Sequence, residues 1–162
     1  MIELRPKPAP GAVRLRGAGV DDLDSVMAIM TAAFHPCFGE GWTRSQCAGI
    51  LPMAGVSLTM AEDGGEAVGF SLMRAVVDEA ELLLIAVAPE ARQRGVGTML
   101  IDHFIAIARD DGAHRLHLEV RDGNDAVSLY QAAGFVPVGR RLHYYRGPDG
   151  DRFDAITLML DR

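Results

Sequence analysis

The chain has 162 residues, enough for one domain that buries a full core without metals or disulfides. Its 49% apolar content excludes general disorder, and its excess of acidic over basic residues (22 against 16, formal net charge −6) argues against a partner held through nucleic-acid phosphates. Cys37 and Cys47 form no Cys-x-x-Cys and have no histidine pair nearby at ligand spacing, so neither a metal nor a disulfide framework is expected.

Residues 1–12, with prolines at positions 6, 8 and 10, lack an apolar stretch of signal-peptide length. They read as a flexible arm ahead of a single domain over 13–162, in a cytoplasmic setting without a membrane partner. Val13-Arg14-Leu15-Arg16 alternates and predicts a strand. Val20 to Phe34 carries Leu23, Val26, Met27, Met30 and Phe34 on one helical face, and His35-Pro36 ends that helix. Thr43 with Gln46 three residues on predicts a capping box that opens a short helix to Leu51. Val56–Ala61 and Ala67–Val77 read as a hairpin turned at Gly64-Gly65.

From Glu81 to Leu100 the pattern changes. An unbroken apolar run, Leu82 to Ala88, is closed by Pro89 and has the length of a buried strand. A polar turn with Gly95 and Gly97 comes next. A helical period then predicts a helix from about Arg94 to Asp110, with Val96, Met99, Leu100, His103, Phe104 and Ile107 on one face. A helix start exposes unpaired amides and partial positive charge, and glycines there let an anion approach the main chain, so the stretch reads as a pyrophosphate cradle. It is neither a dinucleotide fingerprint, since Leu100 stands where a third glycine belongs, nor a Gly-Lys-Ser/Thr loop. Leu116, Leu118 and Val120 alternate with His117 and Glu119 in the next strand. Asn124 or Asp125 then caps a helix that Gly134 stops, and strands over Phe135–Tyr145 and Phe153–Leu160 flank a turn at Gly147–Gly150. The order predicts an α/β fold (an α+β mixed sheet) of about seven strands with helices on both faces, and a crevice beside a parallel pair.

Arg92-Gln93-Arg94-Gly95-Val96-Gly97 resembles the Arg/Gln-x-x-Gly-x-Gly/Ala motif of the GCN5-related N-acetyltransferase superfamily. Leu118-Glu119-Val120-Arg121, Leu129-Tyr130 with Gly134-Phe135, Arg141 with Tyr144-Tyr145, and Asp154-Ala155 resemble, within it, the ribosomal-protein alanine N-acetyltransferases of the RimI type. The resemblance covers roughly 13–160, and it is loose between 35 and 60. It implies the acetyltransferase fold with its parallel pair splayed, and acetyl-coenzyme A as cosubstrate, with main-chain contacts to its pantetheine arm at Ile85, Ala86 and Val87. It implies pyrophosphate contacts at Gln93, Arg94, Gly95, Val96, Gly97 and Thr98, with Arg92 and Arg94 as further phosphate partners. Glu119 would be the general base and Tyr130 the general acid. The segment from Arg121 to Tyr130 is one residue short of the family pattern, so the coenzyme-contacting asparagine aligns with Gly123 or Asn124, of which Asn124 is taken.

The expected reaction is acetyl transfer by direct attack onto a protein N-terminal α-amine, such as that of a ribosomal protein. Alternatives are a small amine or amino acid as acceptor, and a non-catalytic acyl-coenzyme A module. Tyr144 is the candidate acceptor-lining residue. Rival readings make Glu119 a surface partner of Arg115 or Arg121 and Tyr130 a packing aromatic, whereas His103 is read as a core histidine, His117 as structural, and Arg140 and Arg141 as a solvated face. A monomer or weak homodimer is expected.

Overall fold

The computed structural model describes residues 12–161. The arm expected over 1–12 therefore lies, apart from Ala12, outside the described residues. Strands β1 (Val13–Ala18), β2 (Val56–Asp63), β3 (Glu66–Val76), β4 (Glu79–Val87), β5 (Arg115–Arg121), β6 (Val136–Arg146) and β7 (Arg152–Asp161) form one sheet in the order β1-β2-β3-β4-β5-β7-β6. Among the described residues, only β4 and β5 pair in parallel. Helices α1 (Leu23–Ala33) and α2 (Arg44–Ile50) cover one face, while α3 (Val96–Asp110) and α4 (Val127–Ala132) cover the other.

Local chemistry sets the helix ends. The segment expected to be helical from Val20 begins as a 3-10 turn, Val20–Asp22, and becomes α-helical at Leu23. Thr43 and Gln46 form the expected reciprocal cap: the Thr43 hydroxyl accepts from the Gln46 amide (3.2 Å), and the Gln46 side chain accepts from the Thr43 amide (2.8 Å). α3 starts at Val96 rather than Arg94, because Gly95 adopts a left-handed conformation (φ 78°) that no helix interior contains. Its buried stripe is Val96, Leu100, Ile101, Phe104 and Ala108, so Met99 and His103 are turned to half-buried positions. His103 is thus not a core histidine.

The apolar run in β4 conceals an irregularity. Met73 pairs with Leu82 and Leu72 with Leu84, which leaves Leu83 as an extra residue on β4. An extra residue reverses which face each later side chain takes. Ala80 and Leu82 accordingly pack with α3 and β5, whereas Leu84 and Ala86 pack with α1 and β2. From Leu82 to Val87, where the strand passes from one core to the other, it is apolar at every position.

β3 passes close beneath α3. A Cβ on Gly69 would stand 3.0 Å from the Ala86 carbonyl oxygen, 3.2 Å from Val96 and 3.3 Å from Leu100. Gly69→Ala is therefore expected to cost about 1–3 kcal/mol by overpacking. Thermal melts should show this as a drop of a few degrees; an unchanged midpoint would mean that the helix moves aside freely.

Candidate active site

Pairing between β4 and β5 runs from Glu79↔Arg115 to Leu82↔Leu118 and stops. β4 continues against β3 to Val87, and β5 continues against β7 to Arg121. Beyond Leu82 the main-chain groups of β4 that point away from β3 have no strand partner among the described residues, a state that buried backbone normally avoids. The gap opens into a cleft of about 740 Å³, lined by Leu83 to Val87 on one lip and Leu118 to Arg121 on the other. The start of α3, the start of α4, the end of α1 with the loop after it, Tyr144 and Tyr145 line the rest.

The α3 end of the cleft is built from backbone. Gln93 (φ 61°) and Gly95 (φ 78°) are both left-handed, which wraps the chain tightly into the helix. Among the described residues, no main-chain carbonyl accepts from the amides of Gln93 through Thr98; the first bond of this turn is Met99 N–H to Gly95 C=O at 3.0 Å. Gly97 meets α4 closely, since a Cβ there would lie 2.9 Å from Leu129. Arg92, Gln93, Gly95, Val96, Gly97 and Thr98 all line the cleft. Arg94 does not. Its guanidinium pairs with Asp63 (2.7 Å), while Arg92 donates to the Ala33 carbonyl (3.1 Å) and so ties the turn to the end of α1. Ile85, Ala86 and Val87 stand on the opposite lip.

Glu119 faces the cleft from β5 with its side chain only 9% exposed. Its Oε2 accepts from the Thr157 hydroxyl (2.7 Å), and its Oε1 lies 2.9 Å from Arg141 Nε. The alternative partners do not reach it: Arg115 pairs with Glu79, and Arg121 pairs with Glu40. Arg141 keeps a mostly exposed side chain, as the solvated-face expectation has it, yet its Nε reaches this carboxylate. Arg140 does lie at the surface, bridging Asp122 and Asp154.

Glu40 is a carboxylate that the sequence reading does not single out. It sits in the α1–α2 connection with its side chain 9% exposed, and one oxygen accepts from both Arg121 Nε (2.9 Å) and Asn124 Nδ2 (3.1 Å). The Arg121 guanidinium also stacks 3.6 Å above the Phe38 ring, which meets Phe153 edge-on. Two glycines seat this connection on the β6–β7 turn. A Cβ on Gly39 would stand 1.8 Å from the Arg146 carbonyl oxygen, and one on Gly147 would stand 2.1 Å from that of Cys37. A carboxylate between two glycines in an aromatic loop, Phe38-Gly39-Glu40-Gly41-Trp42, is the signal that could have found it.

Tyr130 lines the cleft from α4 at 5% exposure, edge-on to Phe135. Burial, seconded by the Glu40 charge, raises its pKa well above the ordinary phenol value, so the hydroxyl keeps its proton. Tyr145 is shifted the same way, chiefly by burial, and its hydroxyl lies 3.4 Å from the Glu119 carbonyl. Both Tyr144 and Tyr145 reach the cleft, because β6 slips register after Arg141 and His143 takes a left-handed backbone (φ 55°). Tyr144 remains 48% exposed at the mouth. Asn124 and Gly123 both line the cleft; the Asn124 side chain holds Glu40 and accepts from the Ala126 amide (2.9 Å), steadying the entry to α4.

His117 sits on the same strand face as Glu119, its Nε2 3.7 Å from Glu81. Glu81 holds the imidazole pKa above its usual value, against the opposing effect of burial. The stability this adds is complete below about pH 6.5, the ordinary imidazole value, and is lost as pH rises through the raised folded value. His117→Gln should thus lower stability more at pH 5.5 than at pH 8, by no more than about 1 kcal/mol for a part-exposed pair. Melts across that window test it; parallel curves would deny the pair any role.

Among the described residues, no group of three or more His, Cys, Asp or Glu is placed to hold a metal ion, and no helix is long and apolar enough to cross a membrane. The model of the acetyltransferase (GNAT) family matches residues 23–135. The chain is 39% identical over 97 residues to the [ribosomal protein bS18]-alanine N-acetyltransferase of Escherichia coli K12; the match spans 59% of this chain and 65% of that protein, just under two thirds. It is 30% identical over 133 residues to the putative enzyme of the same name from Bacillus subtilis, covering 81% of this chain and 85% of that one. The crystal structure of the ribosomal-protein-S18-alanine N-acetyltransferase from Escherichia coli superposes with a TM-score of 0.83 at 29% identity, covering 93% of this chain and 94% of that chain.

Proposed function

The chain belongs to the acetyltransferase (GNAT) family, and from that premise we propose that it transfers acetyl from acetyl-coenzyme A to the N-terminal α-amine of a protein. The observation that carries this reading is the parting of β4 from β5, which sets unpartnered backbone on one lip against Glu119 on the other. The amides of Gln93 through Thr98, without main-chain acceptors among the described residues, suit a pyrophosphate at the start of α3. Backbone N–H groups on Ile85 and Val87, which point away from β3 while that of Ala86 faces it, suit the pantetheine arm and the thioester carbonyl, whose oxygen gains charge during attack.

The reaction is a direct displacement. The amine nitrogen bonds to the carbonyl carbon and the carbon–sulfur bond breaks. Glu119 takes the amine proton, directly or through a water, and Tyr130 gives a proton to sulfur. An α-amine has a pKa near 7.7–8.0 against about 10.4 for lysine, so the substrate itself supplies about 3–4 kcal/mol of the deprotonation that a lysine acceptor would demand. One carboxylate is adequate for the first and marginal for the second.

Tyr144, half exposed at the mouth, is positioned to line an acceptor that extends out of the cleft, which favours a peptide over a small amine. Relatives named for alanine of ribosomal protein bS18 support an N-terminal alanine on a ribosomal protein. A non-catalytic acyl-coenzyme A module would have no use for both Glu119 and Tyr130. The test is acetyl-coenzyme A turnover against peptides varied at their first four residues, beside free amines. Turnover confined to peptides supports the proposal; turnover of free amines alone, or none, rejects it.

A further inference from the structure

We propose that Arg141 is a built-in stand-in for the substrate ammonium, a positioning residue that occupies the Glu119 carboxylate until the acceptor displaces it. The inference rests on the reading of Glu119 as the group that receives the amine. Glu119 is 9% exposed and has two oxygens. One is committed to the Thr157 hydroxyl at 2.7 Å and the other to Arg141 Nε at 2.9 Å, so the oxygen an amine would approach already carries a cation. The two ends of this ion pair differ sharply, since the Arg141 side chain is 63% exposed. In the same conformation its guanidinium carbon stands 5.6 Å from the centre of the Tyr144 ring, so the side chain reaches from the carboxylate to the residue at the mouth.

The backbone beneath Arg141 is fixed by pairing with Ala155 on β7, between one register slip after Pro137 and another before Tyr145. A swing of the side chain alone would free the carboxylate. An α-amine at neutral pH is mostly protonated, so the arriving acceptor is itself an ammonium and competes for the same oxygen. The neighbouring cations do not share this duty: Arg140 is held by Asp122 and Asp154, and Arg121 by Glu40.

Competition of this kind costs acceptor affinity and leaves the coenzyme end of the cleft untouched. Arg141→Met should lower KM for the peptide acceptor by about two- to five-fold, the range of a partly exposed ion pair, with KM for acetyl-coenzyme A unchanged. Arg141→Lys should restore the wild-type acceptor KM. Arg140→Met removes a nearby charge without touching Glu119 and should leave acceptor KM in place. Added methylguanidinium should inhibit the Arg141→Met enzyme competitively with the acceptor and spare the wild type. An acceptor KM that is unchanged or raised in Arg141→Met, or lowered equally by Arg140→Met, overturns the proposal while the enzyme's activity stands. A wild-type enzyme that turns over no acceptor at all removes the role of Glu119, and this inference with it.

Discussion

Glu119→Gln is expected to lower kcat/KM on a peptide acceptor by about 10²- to 10⁴-fold, the range for loss of a positioned general base. The exchange is nearly isosteric. Glutamine keeps an oxygen for the Thr157 hydroxyl, so the junction of β5 and β7 should hold, and melting temperature should move little. What is lost is the charge that receives the amine proton. The deficit should be largest near neutrality, where the α-amine arrives protonated, and should narrow towards pH 9, where solvent has already removed the proton. Steady-state rates from pH 6.5 to 9, together with a direct measurement of coenzyme affinity, test this. A variant as fast as wild type at pH 7 would leave Glu119 a structural carboxylate.

Tyr130→Phe is expected to cost about 10²-fold or more in kcat, with the fold intact, because the ring stays packed against Phe135 and only the hydroxyl goes. A thiol ordinarily titrates near 8.5 and a phenol near 10. Burial drives the Tyr130 phenol higher still, so this group first donates a hydrogen bond to the sulfur as charge develops there and completes the transfer late. An acetyl donor with a leaving group of much lower pKa needs less of that help. The ratio of wild-type to variant rates should therefore shrink for an activated acetyl thioester; an equal loss for both donors would show that Tyr130 acts by packing alone.

Much of this architecture is legible in the chain because its determinants are local. Alternation over Leu116–Val120, the glycine pair after β2 and the Thr43–Gln46 cap each lie within a few residues, and the strand–turn–helix from Glu79 to Asp110 declares itself by a change of period. The bulge at Leu83 is invisible because every residue around it is apolar, and an inserted residue then leaves no trace in the pattern. The partners within the cleft are hidden for a different reason. Glu40 meets Arg121 from 81 residues away, and Thr157 reaches Glu119 from 38 away, through strand order that no local signal encodes. Arg141 is the instructive case. Read by itself, an arginine beside Arg140 on an edge strand belongs to solvent, and only the pairing of β7 between β5 and β6 brings it over Glu119.

The mutual seating of Gly39 and Gly147 has a consequence for anyone who would re-engineer acceptor choice. Because each glycine lies flush against the opposite loop's carbonyl, the two segments interlock like teeth of a closed zip. Transplanting residues 35–42 from a relative without its matching β6–β7 turn would drive main chain into main chain, so chimeras should exchange both pieces or neither.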